Sequence, residues 1–327
     1  MSCQRQAPPT GALRLGLALL VAGVASARAD EWEWRAAAGA QIDSSSHGVV
    51  DLGARKGPLS IQLLTDTLDV RYAPESAAGK WWLGARGEAL VAGIMLAPWS
   101  DGAPDPARGR YASYSGVDAG WARYLPRSLY VGLAASARLY IYGATSETRI
   151  ALPGPTTLLT AETFIGRYTP ELHVSARAGA DLYGGTLSPH VAAELIYRPQ
   201  MALAPRLELR VGWARDQAEV ARTRVGGENP YVVPLAGAGW GEWWAERYAA
   251  SRIGFSWRGS FLELGAVVDA AALDQGIVTG VAALGRGWWR RWFAEASLGY
   301  APWIQRGPGV SRVSGWLLVG AEWGRGR

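Results

Sequence analysis

The chain contains only three histidines, His47, His173 and His190, so imidazole chemistry can be tested one residue at a time. Asp43, Ser45 and His47 are the residue types of a nucleophilic triad. They crowd into one polar turn, Asp43-Ser44-Ser45-Ser46-His47-Gly48, with no scaffold to align them, so a solvated turn is expected. His173 shares a strand face with Arg177 and Asp181, which reads as a polar network, and His190 opens a strand. The run Gly237-Ala238-Gly239-Trp240-Gly241 lacks the lysine and the strand-to-helix setting of a phosphate loop. No His/Cys/Asp set has metal-ligand spacing. Neither catalysis, nor a metal, nor a cofactor is therefore expected.

Elements that position side chains must come after the export signal. Arg5 and Arg14 accompany an apolar stretch, Leu13 to Val24, followed by Ala27-Arg28-Ala29, the pattern of a secretory signal peptide cleaved after Ala29. That stretch is shorter than the roughly 20 residues needed to cross about 30 Å of hydrocarbon. The sole cysteine, Cys3, lies before it, so the mature chain (residues 30–327) contains no disulfide. The formal charge of +5 includes Arg5, Arg14 and Arg28, so the mature chain is nearly balanced and no nucleic-acid partner is implied. No later run reaches 18 uninterrupted apolar residues, which excludes helical membrane spans.

Alternation with a period of two dominates what remains. Leu172, Val174, Ala176, Ala178, Ala180 and Leu182 alternate with His173, Ser175, Arg177, Gly179, Asp181 and Tyr183. Similar runs begin at Leu129, Leu207, Leu262 and Val313, several of them ending in Trp or Tyr. Most exceed the 5 or 6 residues of a soluble strand, and their polar parities carry many Gly and Ala. Exported, aromatic-rich and alternating, the chain reads as all-β: one transmembrane antiparallel up-and-down β-barrel over 30–327, in the outer membrane of a Gram-negative bacterium.

Turn signals delimit fifteen strands, at 31–42, 48–56, 59–72, 80–96, 111–124, 128–143, 157–168, 171–183, 187–198, 205–224, 241–257, 259–271, 276–289, 291–302 and 311–323. A bacterial single-chain barrel has an even number, so 14–16 strands are expected with fifteen excluded. The fault lies in 59–72, where apolar residues move from odd positions (Leu59, Ile61, Leu63) to even ones (Leu64, Leu68, Val70, Tyr72). Either a bulge or a turn at Thr65-Asp66-Thr67 accounts for that switch. Short connections at 125–127, 169–170, 258–259 and 290–291 alternate with longer ones at 97–110, 144–156, 225–240 and 303–310, the asymmetry of periplasmic turns and outer loops.

The segment Gly287–Trp303, GWWRRWFAEASLGYAPW, gives a scale for the bilayer. Trp292, Ala294, Ala296, Leu298 and Tyr300 share one parity, and their eight steps at about 3.3 Å span roughly 26 Å of strand. A tilt of about 40° reduces this to about 20 Å of depth, close to the ~25 Å apolar band of such barrels. Trp213, Trp288, Trp289, Trp292, Tyr300 and Trp323 are read as membrane-interface aromatics.

Charges on the polar parities carry the functional signal. Arg86, Glu88, Asp118, Arg138, Glu171, His173, Arg177, Asp181, Glu194, Glu208, Arg210, Glu263, Asp269 and Glu295 are expected to line the lumen. Such a mixture suits a selective water-filled pore and equally a barrel closed by internal salt bridges. Outer-membrane lipid, the barrel-assembly machinery during biogenesis and small solutes are the partners this implies.

One stretch stands apart: RTRVGGENPYVVPLAGAGWGEWWAER, Arg222 to Arg247, with Gly226-Gly227, Pro230 and Pro234. Five strands follow it, and in the second Asp269 follows Val267-Val268. This arrangement resembles the C-terminal barrel of the outer-membrane assembly and two-partner secretion superfamily. The resemblance implies sixteen strands, with loop 225–240 folded into the lumen, whereas the soluble periplasmic domain that precedes the barrel in that family is not expected here. The family's Arg-Gly-aromatic loop tip is replaced here by Asn229-Pro230-Tyr231. The resemblance also implies that assembly machinery reads a terminal aromatic; here Trp323 is followed by Gly-Arg-Gly-Arg.

Overall fold

The computed structural model describes residues 32–324 except 44–46, 66, 89–93, 97–98, 101–102, 228–231, 239–241, 275 and 303–309. The signal-peptide stretch and the Asn229-Pro230-Tyr231 tip lie outside the described residues. The chain forms a closed antiparallel up-and-down barrel of sixteen strands. In chain order these are β1 Glu33–Ile42, β2 His47–Lys56, β3 Leu59–Leu64, β4 Thr67–Tyr72, β5 Gly79–Glu88, β6 Arg110–Leu125, β7 Leu129–Ala144 and β8 Thr156–Tyr168. They continue as β9 Leu172–Tyr183, β10 Thr186–Tyr197, β11 Leu203–Ala214, β12 Arg247–Arg258, β13 Leu262–Leu273, β14 Gly276–Trp289, β15 Trp292–Tyr300 and β16 Val313–Trp323. β16 pairs with β1 from Trp34↔Trp323 to Ile42↔Gly315, which leaves no open sheet edge.

The sixteenth strand comes from the parity switch. β3 and β4 are a hairpin with Leu64 opposite Thr67, and Thr65 adopts a left-handed φ of 53°. Across a two-residue turn, partners differ by an odd number of positions, so the outward face moves from odd to even residues. Leu64 therefore faces inward, packed against the buried cluster of Val49, Phe293 and Trp316. The Gly184-Gly185 turn between β9 and β10 has φ of 55° and 84°, values glycine adopts without steric cost.

Outward parities are apolar, exposed and continuous from strand to strand, as with Leu264 and Val268 on β13 and Leu317 and Val319 on β16. Exposed aromatics gather at the end with the short turns: Tyr72, Trp81, Trp121, Tyr168, Trp257, Trp289, Trp292 and Trp323. Trp213 and Tyr300 stand at the opposite end of their strands, also exposed. Trp288 departs from the expected interface set. It is half-buried on the inward parity opposite Phe293, because neighbours on a strand cannot share a face.

Two expected strands are too long. β11 stops at Ala214 and β12 begins at Arg247, so 215–224 and 241–246 belong to the intervening segment. Exposed Arg215 and Asp216 end β11, and Asp216 has a φ of 53°.

Candidate functional site: a segment held across the lumen

Between β11 and β12, residues 215–227, 232–238 and 242–246 fold back inside the barrel. Thr223–Val225 pairs with Trp243–Ala245 as a short antiparallel ribbon. On its other side the Gly226 N–H donates to Val233 O at 2.9 Å, and the Val233 N–H donates to Arg224 O at 3.0 Å. Val225, Leu235, Ala236 and Ala238 are fully buried. A segment this apolar, with its backbone groups satisfied internally, survives inside a barrel because it brings its own hydrogen bonds.

Ala236 and Gly237 fasten the segment to the wall at β13 and β16. Asp269 on β13 is fully buried and receives both Nε and Nη2 of Arg252, on β12, at 2.7 Å each. Asp269 Oδ2 also accepts the Ala236 N–H at 2.8 Å, and Ser314 Oγ accepts the Gly237 N–H at 3.0 Å. A forked guanidinium–carboxylate pair in a dry site is both strong and directional. Glycines make the close approach possible. A Cβ on Gly280 would lie 2.2 Å from Ala236 O, and one on Gly299 would lie 2.7 Å from the Gly237 nitrogen. Gly237 itself has a φ of 75°, and a Cβ there would lie 2.1 Å from the Ala301 nitrogen.

The opposite wall is reached through side chains. Both Nη atoms of Arg224 donate to Glu88 Oε1 on β5 at 3.2 Å, while its guanidinium lies 4.8 Å from the Trp244 ring centroid. Arg110 on β6 pairs with Glu219. Gln217 Nε2 donates to Asp181 Oδ2 at 2.7 Å, and Ser188 Oγ donates to Asp216 O at 2.8 Å. Between these tethers lie cavities of about 390 and 490 Å³ lined by charged side chains.

The other charges expected along the lumen fall into local groups. Asp118 meets Arg71 at 3.3 Å. His173 lies 3.0 Å from the Tyr130 hydroxyl and 3.5 Å from Glu194, which also meets Arg210 at 3.5 Å. Asp181 accepts from Thr160 at 2.7 Å and lies 3.3 Å from His190. Glu208 gathers Arg198, Arg206 and Arg210. Glu263 pairs with Arg258 at 2.9 Å, and Glu295 with Arg286 at 3.3 Å. Arg86, Arg138 and Arg177 line the cavities. Glu171 is the exception. It is exposed in the turn before β9, because Pro170 offers no N–H and pairing begins only at Leu172.

Sequence reasoning missed Arg252, Ser314 and Arg35, which meets Asp51 at 2.7 Å and Glu322 at 3.0 Å. For Arg252 the signal was present, since it alternates with Ile253, Phe255 and Trp257. Among the described residues no group of His, Cys, Asp and Glu could hold a metal ion.

Sixteen antiparallel strands closed on themselves, apolar outside and charged within, define a transmembrane β-barrel of the bacterial outer-membrane type. No protein-family model matches the sequence, and no curated protein matches it. Among solved structures, CdiB from Acinetobacter baumannii is similar with a TM-score of 0.63 at 12% identity, covering 90% of this chain and 60% of CdiB. BamA from Haemophilus ducreyi, in a form lacking POTRA domains 1-3, gives 0.58 at 10% identity, covering 90% of this chain and 71% of that one. The chain thus spans about 60% of the length of the CdiB structure and shares the barrel fold of both.

Proposed function

We propose that the protein is an assembly- or translocation-type barrel of the Gram-negative outer membrane, closed at rest by its own segment 215–246. The observation that carries this reading is Asp269, which holds both Arg252 of the wall and the Ala236 N–H of the segment. One buried carboxylate thereby couples the segment to two barrel strands. The inward charges then line the water that remains, and lipid surrounds the barrel. The assembly machinery acts during biogenesis at the terminal strand, β16.

A second reading, a steadily conducting channel, is favoured by the cavities on the β5–β10 side, which are polar and charged. Single-channel recording in planar bilayers separates the two, comparing the full chain with a deletion of 226–240. A silent wild type that conducts once the loop is shortened supports the plugged barrel. Steady ohmic current in the wild type supports the channel, and silence in both proteins overturns both in favour of a structural role.

A further inference from the structure

On the inner wall from β5 to β9, aromatic rings are laid over glycines. Trp82 on β5 stands opposite Gly120 on β6, Phe164 on β8 opposite Gly132 on β7, and Tyr130 on β7 opposite Gly166 on β8. A Cβ at any of these three glycines would collide with the side chain of its partner. Ala122 beside Gly120 and Ala134 beside Gly132 are small inward residues as well. The rings of β5 and β8 therefore lean towards each other across β6 and β7. Centroids of Trp82 and Phe164 are 6.1 Å apart, and those of Phe164 and Tyr130 also 6.1 Å. Tyr130 and His173 follow at 6.5 Å, then His173 and Tyr168 at 5.8 Å. Five rings thus form one unbroken row.

The row is not a packed core. Trp82, Phe164 and Tyr130 rest on wall glycines, yet they and His173 remain half-buried, and Tyr168, at the end of β8, is 64% exposed. The Tyr130 hydroxyl lies 3.0 Å from His173 Nε2, and His173 Nδ1 lies 3.5 Å from Glu194, which fixes both rings. Trp82 also lines the 390 Å³ cavity, a volume within the ~300–1,000 Å³ of small-molecule sites. The four arginines in that lining are balanced by four acids. Those beside the rings are Asp118, two positions from Gly120 and 3.3 Å from Arg71, and Glu162, two positions from Phe164. Arg177 stands directly opposite Phe164. Donors and acceptors therefore border an aromatic surface that has no net charge with which to select an ion.

We propose that this row binds a neutral oligosaccharide built of hexose units with equatorial substituents. Such sugars present weakly positive axial C–H groups on both faces, which suits the negative face of an aromatic ring. Their hydroxyls lie around the edge, where carboxylates accept hydrogen bonds and guanidiniums donate them. Successive rings serve successive units, so affinity grows with chain length. All five rings belong to barrel strands, so the site stands whichever role the inserted segment has. Its test is an equilibrium measurement, independent of the conductance that tests the plug.

Cellohexaose and chitohexaose are titrated calorimetrically into the full folded barrel, in a detergent without a sugar headgroup. At least one is expected to bind saturably, and more tightly than its own monosaccharide. Trp82→Ala should weaken that binding about tenfold, the equivalent of one aromatic stacking contact. Tyr168→Ala removes an exposed ring and should weaken it about threefold, which keeps the test open should Trp82→Ala fail to fold. Trp289→Ala, equally exposed at 64% but on the outward parity, should leave binding unchanged. No saturable heat with either hexasaccharide overturns the site, as does equal weakening by Trp289→Ala. A tryptophan-rich peptide that binds through Trp82 and Tyr168 while both sugars fail makes the row a peptide surface and overturns the carbohydrate assignment.

Discussion

At Ala236 and Gly237 the inserted segment lies in direct backbone contact with β13 to β16, beside a cavity of about 500 Å³ that reaches Val232 and Pro234, whereas towards β5 to β10 it is separated from the wall by cavities of about 390 and 490 Å³. On the first side the contacts are glycine notches, a fully buried carboxylate and the packed residues Ala236, Val267 and Ala282. On the second they are long side chains reaching across water, chiefly Arg224 to Glu88 and Gln217 to Asp181. The physics of the two differs. A charge pair in a dry, low-dielectric site is strong but costly to break, while one beside water is screened. The segment is thus hinged on one wall and latched on the other.

The comparison predicts where damage is greatest. Asp269→Ala strips the carboxylate from Arg252, which is itself only 5% exposed. Removing one member of a buried pair costs about 3–5 kcal/mol, and here Glu208, opposite Arg252 on β11, offsets part of that loss. The midpoint of guanidinium unfolding, followed by the barrel's change in gel mobility, should fall accordingly. A loss under about 1 kcal/mol would show that this wall is wet after all. Gly280→Val comes next. Its Cβ would meet Ala236 O at 2.2 Å, a backbone atom that cannot turn aside. Overpacking of this kind costs about 1–3 kcal/mol, and relief by lifting the segment should appear as conductance in an otherwise silent barrel. Silence together with full stability would contradict the tight contact.

A smaller effect is expected at the latch. Glu88→Gln keeps the shape but removes the charge opposite Arg224, whose side chain remains 22% exposed and packed on Trp244. Water and the aromatic ring take over part of the lost interaction, so stability should drop by about 1 kcal/mol. The consequence to look for is brief, salt-sensitive openings in bilayer recordings. Long-lived openings would mean that the latch, and not the hinge, governs closure.

Much of this architecture is legible in the sequence because a barrel strand declares its two faces every second residue. The alternation from Leu172 to Tyr183 and from Leu262 to Ala270 by itself puts Asp181 and Asp269 on the inward parity. Even the strand-count problem contains its answer, since the parity switch at Thr65 is what a two-residue turn produces. The inserted segment is harder. Its Gly and Pro content marks 225–240 as irregular, but its attachment runs through backbone N–H groups of Ala236 and Gly237, which carry no residue signature. Ends of elements fail for a similar reason. Trp243-Trp244 reads equally well as a wall strand or as a ribbon packed inside one, and only the three-dimensional pairing with Thr223–Val225 decides. Glu171 and Trp288 are misplaced because composition near a turn does not reveal which face a residue takes.

The least costly substitution sharpens the comparison from the other side. Arg286 on β14 points inward like Arg252, and it too has a carboxylate partner, Glu295 at 3.3 Å. Its side chain is 54% exposed, however, and Glu295 has Arg35 at 4.0 Å in reserve. Exposed pairs contribute roughly 0.2–1 kcal/mol, and here the acid keeps a second cation. Arg286→Gln should therefore shift the unfolding midpoint by less than about 0.5 kcal/mol and leave the barrel silent, although β14 also carries the Gly280 notch. A loss comparable to that of Asp269→Ala would mean that inward position alone, and not dryness, determines what an arginine contributes, and the distinction between hinge and latch would fall with it.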